Sequence, residues 1–415
     1  MPSSPRTGTR WAVAMFAALL AAYTVNAMDR MVFPVLLLDV RAEYGFTLGE
    51  AGLQSTLFAL GMGLTGIPAG LLVERMRRKD VVVLGTVIFS AATLLTVVSV
   101  GFADMLVWRV LSGVGEALQL TAIFAIAASA FTRHRGAAVG CVNMAFAMGS
   151  LIGPTLGSAL VSHYETWRAP MIAFGLIGLA LAALVIVAVR PWFSEAVTAV
   201  GAAATQVGGA TRLLSRNPMV LMVITILFGL ADFGFIGMYA SYLRDQLAYT
   251  TGAAGLVVGL SGLAAFASIV GGHLVDRIDP RLAIGGAQTL VAICAVALFV
   301  GPDQLWWHAV WAFLFGLFAS AGSYVILAGC LVKSVDVRHA SRAAGLFVSA
   351  VYVPAGLAGY VFSVLVEVTG WQGAGLIQLA ALSLIGAALA FLLRPKEFSR
   401  PADSAFVHQP QEATT

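Results

Sequence analysis

The stretch Gly70-Leu-Leu-Val-Glu-Arg75 recurs as Gly272-His-Leu-Val-Asp-Arg277, 202 positions later in the chain. A second pair of matching residues, Pro154 and Pro354, lies 200 positions apart. A nearly constant offset over separate segments indicates that the chain is built from two similar halves. Parallel repeats of this kind allow two halves to rock about a site at their interface.

The composition of both halves is that of a membrane protein. Of the 415 residues, 60% are hydrophobic and 11% are charged, whereas a soluble domain has about 25% charged residues. A membrane-spanning helix needs about 20 mainly apolar residues. The apolar stretches lie at 11–38, 49–73, 80–101, 103–127, 136–161, 167–190, 218–243, 252–275, 281–300, 304–331, 338–364 and 371–393. The sequence therefore predicts an all-α membrane protein with twelve transmembrane helices in two pseudo-symmetric halves of six.

The distribution of basic residues predicts the domain organisation and the topology. Residues 1–190 form the predicted N-terminal half, 191–217 a cytoplasmic linker, 218–398 the C-terminal half and 399–415 a flexible cytoplasmic tail. With the N-terminus inside, 19 of the 24 Lys and Arg residues fall in cytoplasmic segments and 3 in external loops. Basic residues favour the cytoplasmic side, so we expect a multi-pass protein of the cell inner membrane with both termini cytoplasmic. Basic residues confined to such short loops make nucleic acid an unlikely class of partner.

Four charged residues lie deep inside apolar stretches: Asp29 and Arg30 in the first span, and Arg109 and Glu116 in the fourth. A charged side chain at the bilayer centre costs about 2.5–3.5 kcal/mol on insertion scales, so the four must pair or face water. Arg109 and Glu116 are seven positions apart and share one helical face. The pattern predicts ion pairing between the first and fourth spans, either at a transport site or in a buried network that only holds the N-terminal half together.

Other polar residues inside the spans are weaker candidates. Asp232 in the seventh span is interpreted as a third titrating site or as a hydrogen-bonding group between helices, and both interpretations stay open. Asn143 and Tyr352 are predicted to line the substrate cavity. The sequence has no HExxH motif, P-loop or nucleophile constellation, so we expect neither an enzyme nor a metal or cofactor site.

The first repeat segment resembles a known loop signature. Residues 70–79 are similar to the G-x-L-x-D-R-x-G-R-R motif between helices 2 and 3 of major facilitator proteins, with Glu74 in place of the aspartate and Arg77 in place of the second glycine. The resemblance implies a gate in which the carboxylate bonds to a neighbouring helix; the alternative is a basic loop that only fixes topology. The gating residues would be Gly70, Glu74, Arg75 and Arg78, with Asp276 and Arg277 in the second copy.

A second motif lies in the fifth span. Gly149, Gly153, Pro154 and Gly157 place small residues on one helical face, which lets a neighbouring helix approach closely. The run resembles the antiporter motif of drug exporters. This resemblance keeps drug/proton antiport, that is efflux, as an alternative function.

The first span carries the most specific resemblance. Asn26-Ala-Met-Asp-Arg30 is similar to the N-Y-L-D-R run of anion:cation symporters, and its spacing to Arg109 and Glu116 resembles the layout of D-galactonate/proton symporters in that family. The resemblance implies that Arg30 binds a substrate carboxylate, Asp29 and Glu116 exchange protons, and Arg109 partners the acids. The implied function is proton-coupled uptake of a small organic anion, such as a sugar acid, by a monomer that alternates access. Spinster-type lysolipid carriers share the N-x-x-D-R run and form a second alternative.

Overall fold

The computed structural model describes residues 5–131, 135–195, 206–207, 209–267, 278–336 and 339–401. The helices of the N-terminal half are α1 (Pro5–Tyr44), α2 (Leu48–Thr56 and Phe58–Arg75), α3 (Arg78–Val97), α4 (Phe102–Ala130), α5 (Arg135–Tyr164) and α6 (Arg168–Ala188). Those of the C-terminal half are α7 (Arg216–Ser241, with the π-turn Tyr242–Gln246), α8 (Thr251–Leu263 and the 3₁₀ turn Ala264–Ala267), α9 (Pro280–Val300), α10 (Leu305–Gly316, Leu317–Tyr324 and Val325–Lys333), α11 (340–369) and α12 (371–374, Gly375–Ala381 and Leu382–Ala390).

Ten stretches of the described residues are long and apolar enough to cross a membrane. One of them, Arg342–Ala390, has 49 residues and is broken at Gly370, whose φ of 72° and ψ of 174° are not helical. A positive φ is accessible to glycine at little cost, so this residue ends α11 and begins α12. Together with the shorter apolar helix Thr251–Ala267, these segments give the twelve helices that the sequence predicts. The predicted fold class is confirmed.

The two halves are in contact at the end of the bundle where α1 meets α2, which the sequence predicts to be external. The Thr56 hydroxyl of α2 lies 3.0 Å from the carbonyl oxygen of Gly356 and 3.1 Å from the amide nitrogen of Gly359 on α11. Arg244 at the end of α7 also forms an ion pair of 2.7 Å with Asp39 on α1, across the two halves. The cavity between the halves is therefore closed off at this end.

The glycine face of α5 holds α1 in place. A β-carbon on Gly153 would lie 2.6 Å from the carbonyl oxygen of Met28, which is much closer than any real side chain approaches. Gly149 abuts Thr24 and Gly157 abuts Val32 in the same way. The segment of α1 between positions 24 and 32 carries the charged residues, and this close packing fixes its position.

The predicted linker contacts the predicted tail. Gln206–Val207 and Arg400–Pro401 form a two-residue antiparallel ladder, in which Gln206 pairs with Pro401. The amide of Ala210 donates to the carbonyl oxygen of Ser334 at the end of α10. These backbone hydrogen bonds attach the linker to the C-terminal half.

Candidate functional site

A cavity of about 310 Å³ lies between the two halves. It is bounded by α1, α4 and α5 on one side and by α7, α8, α10 and α11 on the other. Most of its wall is apolar, and aromatic rings are frequent. The polar residues that line it are Tyr23, Arg30, Asn143, Asp232, Ser261, Ser320, Tyr324 and Tyr352.

Arg30 is the cation of the cavity wall. Its Nε donates to Glu116 Oε2 at 2.9 Å and its Nη2 donates to Asn26 Oδ1 at 3.2 Å. The guanidinium carbon lies 5.5 Å from the ring centre of Phe146, within the range of a cation–π interaction. Arg30 is only 3% exposed and Glu116 is fully buried. Glu116 on α4 is therefore the ion-pair partner of the arginine that faces the cavity.

A serine hydroxyl joins Glu116 to the second carboxylate. Ser112 Oγ lies 3.1 Å from Glu116 Oε1 and 3.2 Å from Asp29 Oδ2. The hydroxyl of Thr93 lies 2.8 Å from the same oxygen of Asp29. A hydroxyl has one hydrogen and can donate to only one carboxylate at a time. Ser112 can bond to both carboxylates at once only if it donates to one of them and accepts from the other, which must then carry a proton. The protonation of Asp29 is therefore linked to that of Glu116.

Arg109 is a buried cation with spare donors. Its Nε donates to the carbonyl oxygen of Gln54 at 3.2 Å, and its guanidinium carbon lies 4.2 Å from the ring centre of Phe33. Among the described residues, its Nη1 and Nη2 have no hydrogen-bond partner, and neither does Asp29 Oδ1. The buried cluster of α1 and α4 thus contains two arginines and two acids: Arg30 and Glu116 form an ion pair, whereas Arg109 and Asp29 both keep polar atoms without a described partner.

An amide chain orients Asn26 toward Arg30. The Asn26 Nδ2 donates to Gln119 Oε1 at 2.8 Å, and Gln119 Nε2 donates to Thr86 Oγ1 at 2.7 Å. Ser112 and Gln119 are not among the site residues predicted from the sequence. Ser112, Glu116 and Gln119 follow one another at spacings of four and three, so the polar face of α4 was readable from the sequence.

The predicted site residues divide into two groups. Arg30, Asn143, Tyr352 and Asp232 line the cavity, whereas Asp29, Arg109 and Glu116 lie behind Arg30 within the N-terminal half. Tyr352 packs edge-on against Phe233, with ring centres 5.6 Å apart. In the described part of the chain, no hydrogen bond or ion pair reaches the carboxylate of Asp232.

At the predicted gating motif, the carboxylate that bonds to the start of α3 is that of Glu195. Glu74 and Arg75 are exposed, and neither side chain forms a hydrogen bond within the described ranges. Instead, Glu195 accepts from the backbone amides of Arg78 at 3.2 Å and Lys79 at 3.3 Å, at the start of α3. The Arg78 guanidinium donates to Ser129 Oγ at 2.6 Å. Gly272, Asp276 and Arg277 of the second copy lie outside the described residues. No cluster of three or more metal-binding side chains occurs in the part of the chain that the structure describes.

Comparison with known proteins assigns the fold to one family. The family model described as Major Facilitator Superfamily matches residues 19–359 and 221–413. The chain is 23% identical to the cis,cis-muconate transport protein of Acinetobacter baylyi over 74% of this chain and 77% of that protein. It is 28% identical to the sodium-dependent phosphate transport protein 1 of Arabidopsis thaliana chloroplasts over 41% of this chain and 33% of that protein. It thus spans about a third of the length of the chloroplast relatives.

The fold similarity to solved structures extends over nearly the whole chain. A crystal structure of a bacterial homologue of the human lysosomal transporter spinster, in an inward-facing and occupied conformation, has a TM-score of 0.76 with 19% sequence identity. The match covers 97% of this chain and 100% of the solved chain.

Proposed function

Because this chain belongs to the Major Facilitator Superfamily and is a multi-pass membrane transporter, we propose that it takes up a small organic anion together with protons. The observation that carries this proposal is the pair of Arg30 and Glu116 at the wall of the cavity between the halves. Arg30 has donors on both Nε and Nη2 in a fork that suits a carboxylate. A substrate carboxylate binds there by replacing Glu116.

Substrate binding at Arg30 leaves Glu116 without its cation. A buried, unpaired carboxylate is strongly unfavourable, so Glu116 takes up a proton or moves toward the spare donors of Arg109. Ser112 then passes the change in hydrogen bonding to Asp29. Anion binding and proton binding promote each other in this way, because the substrate and the ionised Glu116 compete for Arg30 and a proton on Glu116 removes that competition.

Transport requires the closed end of the bundle to open and the opposite end to close. The contacts of Thr56 with α11 and of Arg244 with Asp39 must break in that step. We propose that the closed end is external and that both termini are cytoplasmic in the cell inner membrane, as the positions of the basic residues indicate. One chain contains both halves of the cavity, so a monomer is sufficient.

The similarity to a muconate transport protein supports an organic acid as the substrate. Two alternatives make different demands on Arg30. Export of a lipophilic cation by drug/proton antiport has no need of this arginine. A lysolipid carrier is favoured by the aromatic cavity wall, and it predicts activity with lysolipids and no flux of a water-soluble acid.

The test is uptake of a panel of radiolabelled organic acids into proteoliposomes, driven separately by an inward proton gradient and by an inward sodium gradient. We expect one acid to accumulate with the proton gradient only. Arg30→Gln abolishes its accumulation, and Glu116→Gln abolishes the accumulation but retains exchange of labelled for unlabelled acid. Arg168→Gln is the matched control, because Arg168 pairs with Glu43 outside the cavity. Normal accumulation by Arg30→Gln would refute anion binding at this arginine, and accumulation driven by sodium alone would refute proton coupling.

A further inference from the structure

Within the part of the chain that the structure describes, Asp232 is the one acidic residue that lines the cavity. It lies on α7 in the C-terminal half, whereas Arg30 lies on α1 in the N-terminal half. Its sequence neighbours Ala231 and Phe233 are buried, and Asp232 itself is partly accessible. The accessible part of its carboxylate therefore faces the cavity.

When Asp232 is ionised, the charges around the cavity do not balance without a ligand. The two buried arginines of the N-terminal half, Arg30 and Arg109, are equal in number to the buried acids Asp29 and Glu116. Asp232 adds a fifth charge, and no ion pair or hydrogen bond within the described ranges satisfies it. An unpaired carboxylate in an apolar wall is unfavourable, so this position is suited to receive a cation.

The cavity wall to which both charged residues belong is rich in aromatic residues. Phe146, Phe233, Phe315, Tyr324 and Tyr352 all line the cavity together with Arg30 and Asp232. Such surfaces stack on flat apolar groups and attract cations over their faces.

We propose that Asp232 binds the protonated amine of a zwitterionic substrate whose carboxylate lies at Arg30 and whose body is flat and apolar. This inference rests on the proposed binding of a substrate carboxylate at Arg30, and it adds an ammonium group to the chemistry of the substrate. The substrate carboxylate compensates the charge of Arg30 on one side of the cavity, and the substrate ammonium group compensates the charge of Asp232 on the other. A dicarboxylate of the same length places a second negative charge beside Asp232 and is rejected.

Three benzoates of nearly equal size test this inference in the uptake assay. The probe 4-(aminomethyl)benzoate is zwitterionic, 4-(hydroxymethyl)benzoate carries a neutral group at the same position, and terephthalate carries a second carboxylate. For the protein itself we expect uptake in that order. Asp232→Asn lowers the ratio of aminomethyl to hydroxymethyl uptake by about 30-fold, as expected for the loss of one partner of a buried charge pair. Asp245→Asn leaves the ratio unchanged, because Asp245 lies outside the cavity. It is at the end of α7, where its carboxylate accepts a hydrogen bond from Trp371.

The outcomes separate this inference from the proposed function. An unchanged ratio in Asp232→Asn, with a changed proton dependence for every probe, overturns the inference and makes Asp232 a proton site. Preference for terephthalate, or no uptake of any of the three probes, also overturns it. In these cases the symport proposal stands if another acid of the panel accumulates with the proton gradient and loses its accumulation in Arg30→Gln. If the unsubstituted protein accumulates no organic acid at all, both the inference and the symport proposal are refuted.

Discussion

The ion pair between Arg244 and Asp39 is expected to set the balance between the two conformations of the transporter. Arg244 Nη1 lies 2.7 Å from Asp39 Oδ2, and Nη2 lies 2.9 Å from Oδ1. Nη1 also donates to the carbonyl oxygen of Val35 at 2.8 Å. The pair joins α7 to α1 across the interface of the halves, so it exists only while this end of the bundle is closed.

The magnitude follows from the geometry and the exposure of the pair. A bidentate, charge-assisted interaction is stronger than an ordinary surface ion pair, but the side chains of Arg244 and Asp39 are 14% and 31% exposed. Solvent screening therefore limits the contribution to about 1 kcal/mol. We expect Asp39→Asn to increase the population open at this end by about fivefold, because about 1.4 kcal/mol corresponds to a factor of ten.

Alkylation of a cysteine introduced at Ser363 measures this population. Ser363 is fully buried on α11 where α11 meets α2, and a membrane-impermeant maleimide reaches it only from the open end. The experiment needs a background in which the native cysteines 141, 294 and 330 are replaced. Asp39→Asn is expected to raise the labelling rate about fivefold.

Glu43→Gln is the matched control for this experiment. Glu43 also forms a bidentate pair with an arginine, Arg168, but that pair joins α1 to α6 within one half. We expect no change in the labelling of the cysteine at position 363. The reasoning would be refuted if Asp39→Asn left the labelling rate unchanged or if Glu43→Gln raised it equally.

Two further predictions concern stability and are checked by thermal unfolding of the purified protein. Gly153→Val drives a side chain into the carbonyl of Met28 and is expected to destabilise the protein by about 1–3 kcal/mol. Gly70→Ala adds a β-carbon with no other described atom within 4 Å and should not lower the unfolding temperature, because alanine is a better helix former than glycine; an equal loss in both variants would contradict the packing argument. Glu195→Ala removes the acceptor of the first two amides of α3 and is expected to lower the free energy of unfolding by about 1 kcal/mol. Glu74→Ala changes an exposed side chain and should leave this free energy unchanged. A larger loss of stability in Glu74→Ala than in Glu195→Ala would show that the capping assignment is wrong.

The sequence predicted the twelve helices because insertion into a bilayer demands long apolar stretches, which are legible residue by residue. It also identified the charged residues of α1 and α4, since charge inside such stretches is costly and therefore conspicuous. The sequence also predicted separate eleventh and twelfth spans with a loop at positions 365–370, and the structure breaks the helix at Gly370. The linker contacts of residues 206–210 had no comparable signal, because short backbone pairings leave no periodic pattern.

Helical periodicity decides which residues share a face, but it does not decide which neighbouring helix that face meets. The sequence alone therefore grouped Arg109 with Glu116 on α4 and predicted pairing with α1. Only the tertiary structure decided that Arg30 pairs with Glu116 while Arg109 keeps free donors, and that Asp232 faces the cavity instead of bonding to another helix. These choices depend on how closely the helices approach, which is set by glycine contacts between segments far apart in the chain.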